Sequence, residues 1–451
     1  MKRTILALPL AIMMCVFALT GPMCLYAQPV NSLIRTISTT TSGTATNKTG
    51  PTAKASAYFN TFYVAPYGND RNPGTKDRPF KTIQKAADSV TAGSTVLIRQ
   101  GTYNEIVTLK TSGNKGNYIT YRNYPGETAT LNGKGLWDYD WDGVIRTNCQ
   151  NYIIIEGLKI INSCFFGIST SSWRQYEAGK GSSHLIIRNC YTYNTKSSGI
   201  CISGGYDVTV EGNTIERACQ GGLQECITFS TVNTFIARKN KISNGAKEGI
   251  DANEGCINGQ ICYNNITKVH SVGIYIDSYS KHQNNIEVYG NRISSTNTGI
   301  AAASEKGGLL ENVKIHHNVV YNCNWGLAAA DWGHPNPHPL KNIYFTNNTM
   351  YNIKTAYVEI SNTKAVNVVV TNNIFGRNSD PYTRNFYVQT GQKNFTIDHN
   401  LYFKLDSTSP KGKNYLVGDP GFVNPSASDF RLKSKSKAIK AGIGSVNLGA
   451  F

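Results

Sequence analysis

Residues 208–215, VTVEGNTI, decide the fold. Valine alternates with polar residues, Asn213 follows, and an apolar residue returns two positions later. The same phrase recurs as FIARKNKI around Asn240, CYNNI around Asn264, IEVYGNRI around Asn291 and VKIHHNVV around Asn318. Further copies centre on Asn348, Asn373 and Asn400, and two earlier ones place Leu158 and Cys190 in the Asn slot. The copies are spaced by roughly 23 to 32 residues, a repeat length that signals a solenoid.

Alternation with period two makes these segments strands. A second strand follows each Asn: GICIS from Gly199, CITFS from Cys226, GIDAN from Gly249, GIYID from Gly273, GIAAAS from Gly299 and GLAAAD from Gly326. No stretch between copies combines helical period with helical length, so the chain reads as all-β, a single parallel β-helix whose coils pair at about 4.8 Å. The Asn is expected at the bend, itself in the left-handed backbone region, its amide bonded to the same Asn one coil away. This is a scaffold role. An amphipathic helix over Thr82–Val90, with Ile83, Ala86, Ala87 and Val90 on one stripe, is expected to cap the N-terminal end.

Residues 1–27 read as a secretory signal: Lys2 and Arg3, an apolar run from Ile5 to Leu19, then Ala27. Leu25 is not the small residue preferred before a cleavage site, and GPMC is a weak match to the lipoprotein pattern that would anchor Cys24. Residues 28–57 form a Thr/Ser-rich linker, 58–403 the β-helix and 404–451 a C-terminal capping segment. No segment is long and apolar enough to span a membrane. The chain is read as secreted, or as periplasmic or held at the cell surface, and monomeric. Nine of the 11 cysteines lie beyond the signal, several on repeat phases, where they act as small buried hydrophobes. The net charge is +17, about +12 without the first 57 residues. It favours an acidic partner, and in an exported protein an acidic polysaccharide; no nucleic-acid module is present.

Function shows where the repeat breaks its own rule. Aligning the second strands on Ile200, Ile227, Ile250, Ile274, Ile300 and Leu327 puts Cys201, Thr228, Asp251, Tyr275, Ala301 and Ala328 in one outward column. Two residues before the frame, Glu225 precedes Glu248; three after the Asp251 coil's frame sits Asn253, and Asp277 occupies that phase one coil on. Of 28 acidic residues, Glu225, Glu248, Asp251, Glu254 and Asp277 fall on three consecutive coils beside Lys247. Stacked carboxylates must bind a cation, pair with Lys or hold protons. Hard oxygens on a rigid frame suit Ca2+, with Glu225, Glu248, Asp251 and Asp277 as ligands. The bland alternative is a solvated acidic stripe bridged by Lys247 and Lys281. Insertions at one corner carry Trp173, Arg174 and Tyr176 on one side, and Asp331, Trp332, His334 and His338 on the other. Trp173, Arg174, Lys281, Trp332 and His334 are the candidate substrate-binding residues, aromatic faces for sugars and cations for carboxylates.

The segment FYVAPYGNDRNPGTKDRPFKTIQKAADSVTAGSTVLIRQGTYNE and the closing GDPGFVNPSASDFRLKSKSKAI resemble the ends of secreted right-handed parallel β-helix proteins, among them polysaccharide lyases and glycoside hydrolases. The string Lys247-Glu248-Gly249-Ile250-Asp251, with Glu225 one coil earlier, resembles the Asp-Asp-Gly-x-Asp calcium string of family 9 polysaccharide lyases. Lys247 stands where that family has an acid, and Tyr275 where it has its Lys base. The resemblance implies β-elimination on a uronate-containing polysaccharide, with Ca2+ assistance and Tyr275, Lys247, Lys281 or Lys306 as the base. The residues leave two rivals open: a glycoside hydrolase pairing Asp251 with Glu225 or Asp277, and a glycan-binding solenoid without catalysis.

Overall fold

Each coil of the chain contributes one strand to each of three parallel sheets. In a computed structural model, residues 61–136, 142–332, 338–377 and 380–451 are described; the signal, the linker and His334 lie outside them. Sheet 1 has 13 strands from Thr61–Val64 to Phe395–Asp398, sheet 2 has 13 from Gly101–Tyr103 to Leu416–Val417, and sheet 3 has 11 from Val107–Thr108 to Arg384–Val388. A typical coil runs Tyr206–Glu211 in sheet 1, Thr214–Glu216 in sheet 2 and Ile227–Ser230 in sheet 3. The last strand of sheet 2 falls past residue 403, inside the segment read as C-terminal.

The inward columns form one continuous core. Ile200, Ile227, Ile250, Ile274, Ile300 and Leu327 pair in unbroken register and none has measurable exposure. Burying each stabilises the fold by about 1.5–3 kcal/mol, so the stack needs no large side chain at any one coil. Seven of the nine described cysteines are buried, and all nine are free thiols.

The Asn ladder forms as expected, with one correction. Asn213, Asn240, Asn264, Asn291, Asn318, Asn348, Asn373 and Asn400 are buried. Asn240 donates Nδ2 to Asn264 Oδ1 at 3.0 Å and its backbone N–H to the same oxygen at 2.9 Å. Its other Nδ2 hydrogen reaches Val210 O at 3.0 Å. The left-handed residue, however, is the one before the Asn: Lys239 at φ 56, Tyr263 at φ 56, His317 at φ 53, and glycine at Gly212 and Gly290. One left-handed residue makes the corner and turns the next side chain inward, where its amide meets the next coil.

The helix expected over Thr82–Val90 spans only Ile83–Ala87; Thr82 Oγ1 caps it by accepting from Lys85 N, and Ile83, Ala86 and Ala87 are buried. At the other end Phe422–Asn424 pairs antiparallel with Asp429–Leu432. Phe422, Phe430 and Leu448 pack on Val319, Ile374 and Leu401 of sheet 2, along its flank. No helix among the described residues is long and apolar enough to cross a membrane.

Candidate active site on the outer face of sheet 3

The register of sheet 3 places the acids as the sequence frame requires. Thr228 pairs with Asp251 and Ser230 with Asn253; Asp251 pairs with Tyr275 and Asn253 with Asp277. Side chains here project from a rigid ladder, so neighbouring coils hold them a strand spacing apart, about 4.8 Å. Together they line a groove of about 410 Å³, with Glu225, Lys247, Glu248, Asp251, Tyr275 and Asp277 all in its wall.

Its electrostatics follow from burial and crowding. Asp251 and Asp277 are 3% and 4% exposed. Burial, then the neighbouring Glu225 and Asp277, holds the Asp251 carboxyl well above the usual range. Burial and Glu305 push Asp277 up to about 8. Burial and Glu248 push Glu225 up to about 7, although Thr228 Oγ1 donates to its Oε2 at 2.8 Å. Charged forms are disfavoured when like charges share a poorly solvated site.

Three buried oxygens in this wall lack a hydrogen-bond partner: Glu248 Oε2, Asp251 Oδ1 and Asn253 Oδ1. Lys247 Nζ lies 3.7 Å from Glu248 Oε2, an ion pair too long for a hydrogen bond. Orphaned oxygens are costly, and three on one strand segment match the donor type a hard cation takes. Among the described residues no three of His, Cys, Asp or Glu converge to hold a metal, so the match is one of donor chemistry, with Asn253 supplying the third oxygen.

The first insertion reaches the groove, and Trp332 of the second meets Tyr275 in its wall. The short helix Trp173–Glu177, capped by Ser172, presents Tyr176. Tyr176 Oη bonds Ser230 Oγ at 2.9 Å, and Lys281 Nζ lies 5.6 Å from its ring centre. Trp332 lies with its ring 5.1 Å from that of Tyr275, and Tyr275 packs with the buried outward alanines Ala301, Ala303, Ala328 and Ala330. Trp173 also lines the groove, whereas Arg174 is exposed and does not.

Tyr275, expected from sequence as a candidate base, sits in the groove wall. Its Oη donates to Glu305 Oε1 at 2.7 Å, and burial followed by Asp277 and Glu305 raises it well above a free tyrosine, so here it keeps its proton. Glu305, Tyr176 and Asn253 belong to the site and were not singled out as site residues from sequence. Glu305 lies in a turn outside the strand frame; only its place just after Ala303 could have signalled it.

The fold is a parallel β-helix carrying an acid-lined groove on the outer face of sheet 3. Residues 62–220 match the family described as "Pel9A-like, right handed beta helix region", and residues 225–404 match "Right handed beta helix region". The chain is a right-handed β-helix protein. It is 27% identical over 439 residues to the uncharacterized protein YwoF of Bacillus subtilis, covering 83% of this chain and 91% of that one. It is 40% identical to pectate lyase PEL9 of Emericella nidulans over 76 residues, 16% of this chain and 18% of that one. Among solved structures, pectate lyase Pel9A aligns with TM-score 0.50 and 16% identity, over 87% of this chain and 96% of that one. A polygalacturonase from Erwinia carotovora aligns with TM-score 0.51 and 15% identity, over 75% and 96%. At these identities the structural likeness is one of fold.

Proposed function

We propose that the protein is a secreted polysaccharide-active enzyme, a lyase that opens an acidic, uronate-containing polysaccharide by β-elimination with the help of Ca2+. The observation that carries this reading is the set of buried oxygens without a hydrogen-bond partner on Glu248, Asp251 and Asn253 inside a groove lined by six carboxylates. Such a groove repels a uronate unless a cation stands between them. The matches to Pel9A-like and pectate lyase sequences support the same reaction class.

Glu248, Asp251 and Asn253 would hold the ion, with Glu225 and Asp277 beside them. When bound, Ca2+ supplies the positive charge that neutralises the substrate carboxylate and acidifies the adjacent C–H. Lys247, the candidate base that lines the groove, would take that proton; Tyr275, bonded to Glu305, is disfavoured for it. Trp173 and Tyr176 offer ring faces to the sugar on one side and Trp332 on the other.

One observation favours a second reading. Glu225 at about 7 and Asp277 at about 8 hold protons near neutral pH, as the general acid of a glycoside hydrolase must. A panel of polysaccharides separates the two. Unsaturated, ultraviolet-absorbing products that require Ca2+ support the lyase; reducing ends without them, unaffected by chelator, support the hydrolase. Binding with no cleavage of any bound glycan sinks both.

A further inference from the structure

Beside the acid face runs a groove of opposite character. It follows the corner between sheets 2 and 3, where Asn244, Lys268, Asn297, Asn324 and Lys354 come from five successive corners. Four coil steps of about 4.8 Å make it roughly 19 Å long, directed along the helix axis. At Lys354 it meets a second depression, lined also by Trp325, Tyr382, Arg384 and Tyr387. No Asp or Glu lines either stretch, whereas six line the neighbouring groove.

The depression has the parts that recognise a charged sugar polymer. Tyr382 is 88% exposed, so its ring is open to a ligand in the depression. Trp325 stands edge-on to Tyr387 with ring centres 5.8 Å apart, and the Arg384 guanidinium lies 5.8 Å from the Tyr387 ring centre. Rings of this kind present flat faces to sugars, and Arg matches carboxylates with a planar fork of donors. Trp325 and Arg384 share a register column through Ala356. That column belongs to sheet 3, further along the axis than Asp251.

We infer that this continuous basic and aromatic groove is a second, non-catalytic site that binds a carboxylate-bearing polysaccharide lying along the helix axis. It gathers Lys268, Lys354 and Arg384 on one track with no acid among its lining residues. Only the class of polymer rests on the reading of the acid face as a lyase centre.

The test uses the full chain carrying Asp251→Asn, so that binding is read without cleavage, and polygalacturonate as the probe. A neutral glucan and single-stranded oligothymidylate serve as competing probes. Polygalacturonate is expected to bind, more weakly as salt rises. The Lys354→Ala/Arg384→Ala double variant is expected to lower affinity about tenfold, and Tyr382→Ala to lower it as well, with thermal midpoints unchanged. Affinity unaltered in both variants overturns the site, and so does preference for the neutral glucan or for the oligonucleotide. If binding depends on Lys354 and Arg384 while the unsubstituted chain cleaves nothing, the lyase reading fails and this site stands.

Discussion

The Tyr275 hydroxyl donates to Glu305 Oε1 at 2.7 Å, so the residue paired with Asp251 on the next strand has its proton committed to a carboxylate. A tyrosine held this way orients Glu305 and helps wall the groove, and its raised pKa disfavours the deprotonated form a base needs.

Tyr275→Phe is therefore expected to keep cleavage within about tenfold, with a stability loss of about 1 kcal/mol for one buried hydrogen bond. Initial rates and a denaturation curve check both. A loss of three orders of magnitude, the scale of a missing general base, would restore Tyr275 to that role.

Asp251→Asn removes the acid flanked by Glu225 and Asp277. Activity is expected to fall by about 10²–10⁴-fold, while the thermal midpoint holds or rises because a crowded like charge is gone. Rates and melting curves on the same preparation separate the two effects.

Folding stability should depend on pH with a definite sign. The folded Asp277 carboxyl lies at about 8 against 3.8 unperturbed, and that of Glu225 at about 7 against 4.5. Both are raised, so the folded state binds more protons, and stability falls with rising pH across that interval. Their contribution is fully present below about pH 4 and lost as pH climbs towards 8. In chelator-treated protein the denaturant midpoint is expected to drop between pH 5 and pH 8.5, and Asp277→Asn should flatten that drop.

Calcium, if it fills the orphaned oxygens, stabilises by mass action, about 2.7 kcal/mol at a hundredfold excess over Kd. A rise in melting temperature with Ca2+, erased in Glu248→Gln, is the expected result. No shift at millimolar Ca2+ would remove the metal from the mechanism.

Position in the Asn ladder sets the cost of breaking it. Asn264→Ala strands both the N–H and the Nδ2 of Asn240. Asn213→Ala strands only the N–H of Cys190, which bonds Asn213 Oδ1 at 2.9 Å. Each buried donor left unpaired costs about 1–3 kcal/mol, so the first substitution is expected to cost more by about that amount in urea denaturation.

The scaffold was legible because a strand period of two leaves no slack. Once Ile227, Ile250 and Ile274 are in frame, Asp251 must pair with Tyr275, and the register agrees. Asn253 stands on that frame and was passed over as a neutral residue; Glu305 and the reach of Tyr176 lie off it. Glu305 sits in a turn, and Tyr176 reaches Ser230 and Thr231 from an inserted helix; no repeat fixes the reach of a loop. The corner was misplaced by one residue for a related reason: Asn tolerates left-handed backbone, but here its amide is needed inside the coil, so Lys239 or Tyr263 takes the strain instead.

The ladder also has a direction. Every amide from Asn213 to Asn373 gives one hydrogen to the Asn Oδ1 of the following coil and also donates to a carbonyl of the preceding one, and Cys190 joins the row by offering only a backbone N–H. Lengthening such a protein is thus not symmetric. A coil added before the row needs no amide at this corner, and Leu158 and Cys190 occupy that end. A coil inserted within the row must bring an acceptor for the one before it. A lineage that gains or loses repeats can do so most cheaply at its N-terminal side, leaving the coils that carry Glu225 to Asp277 in step.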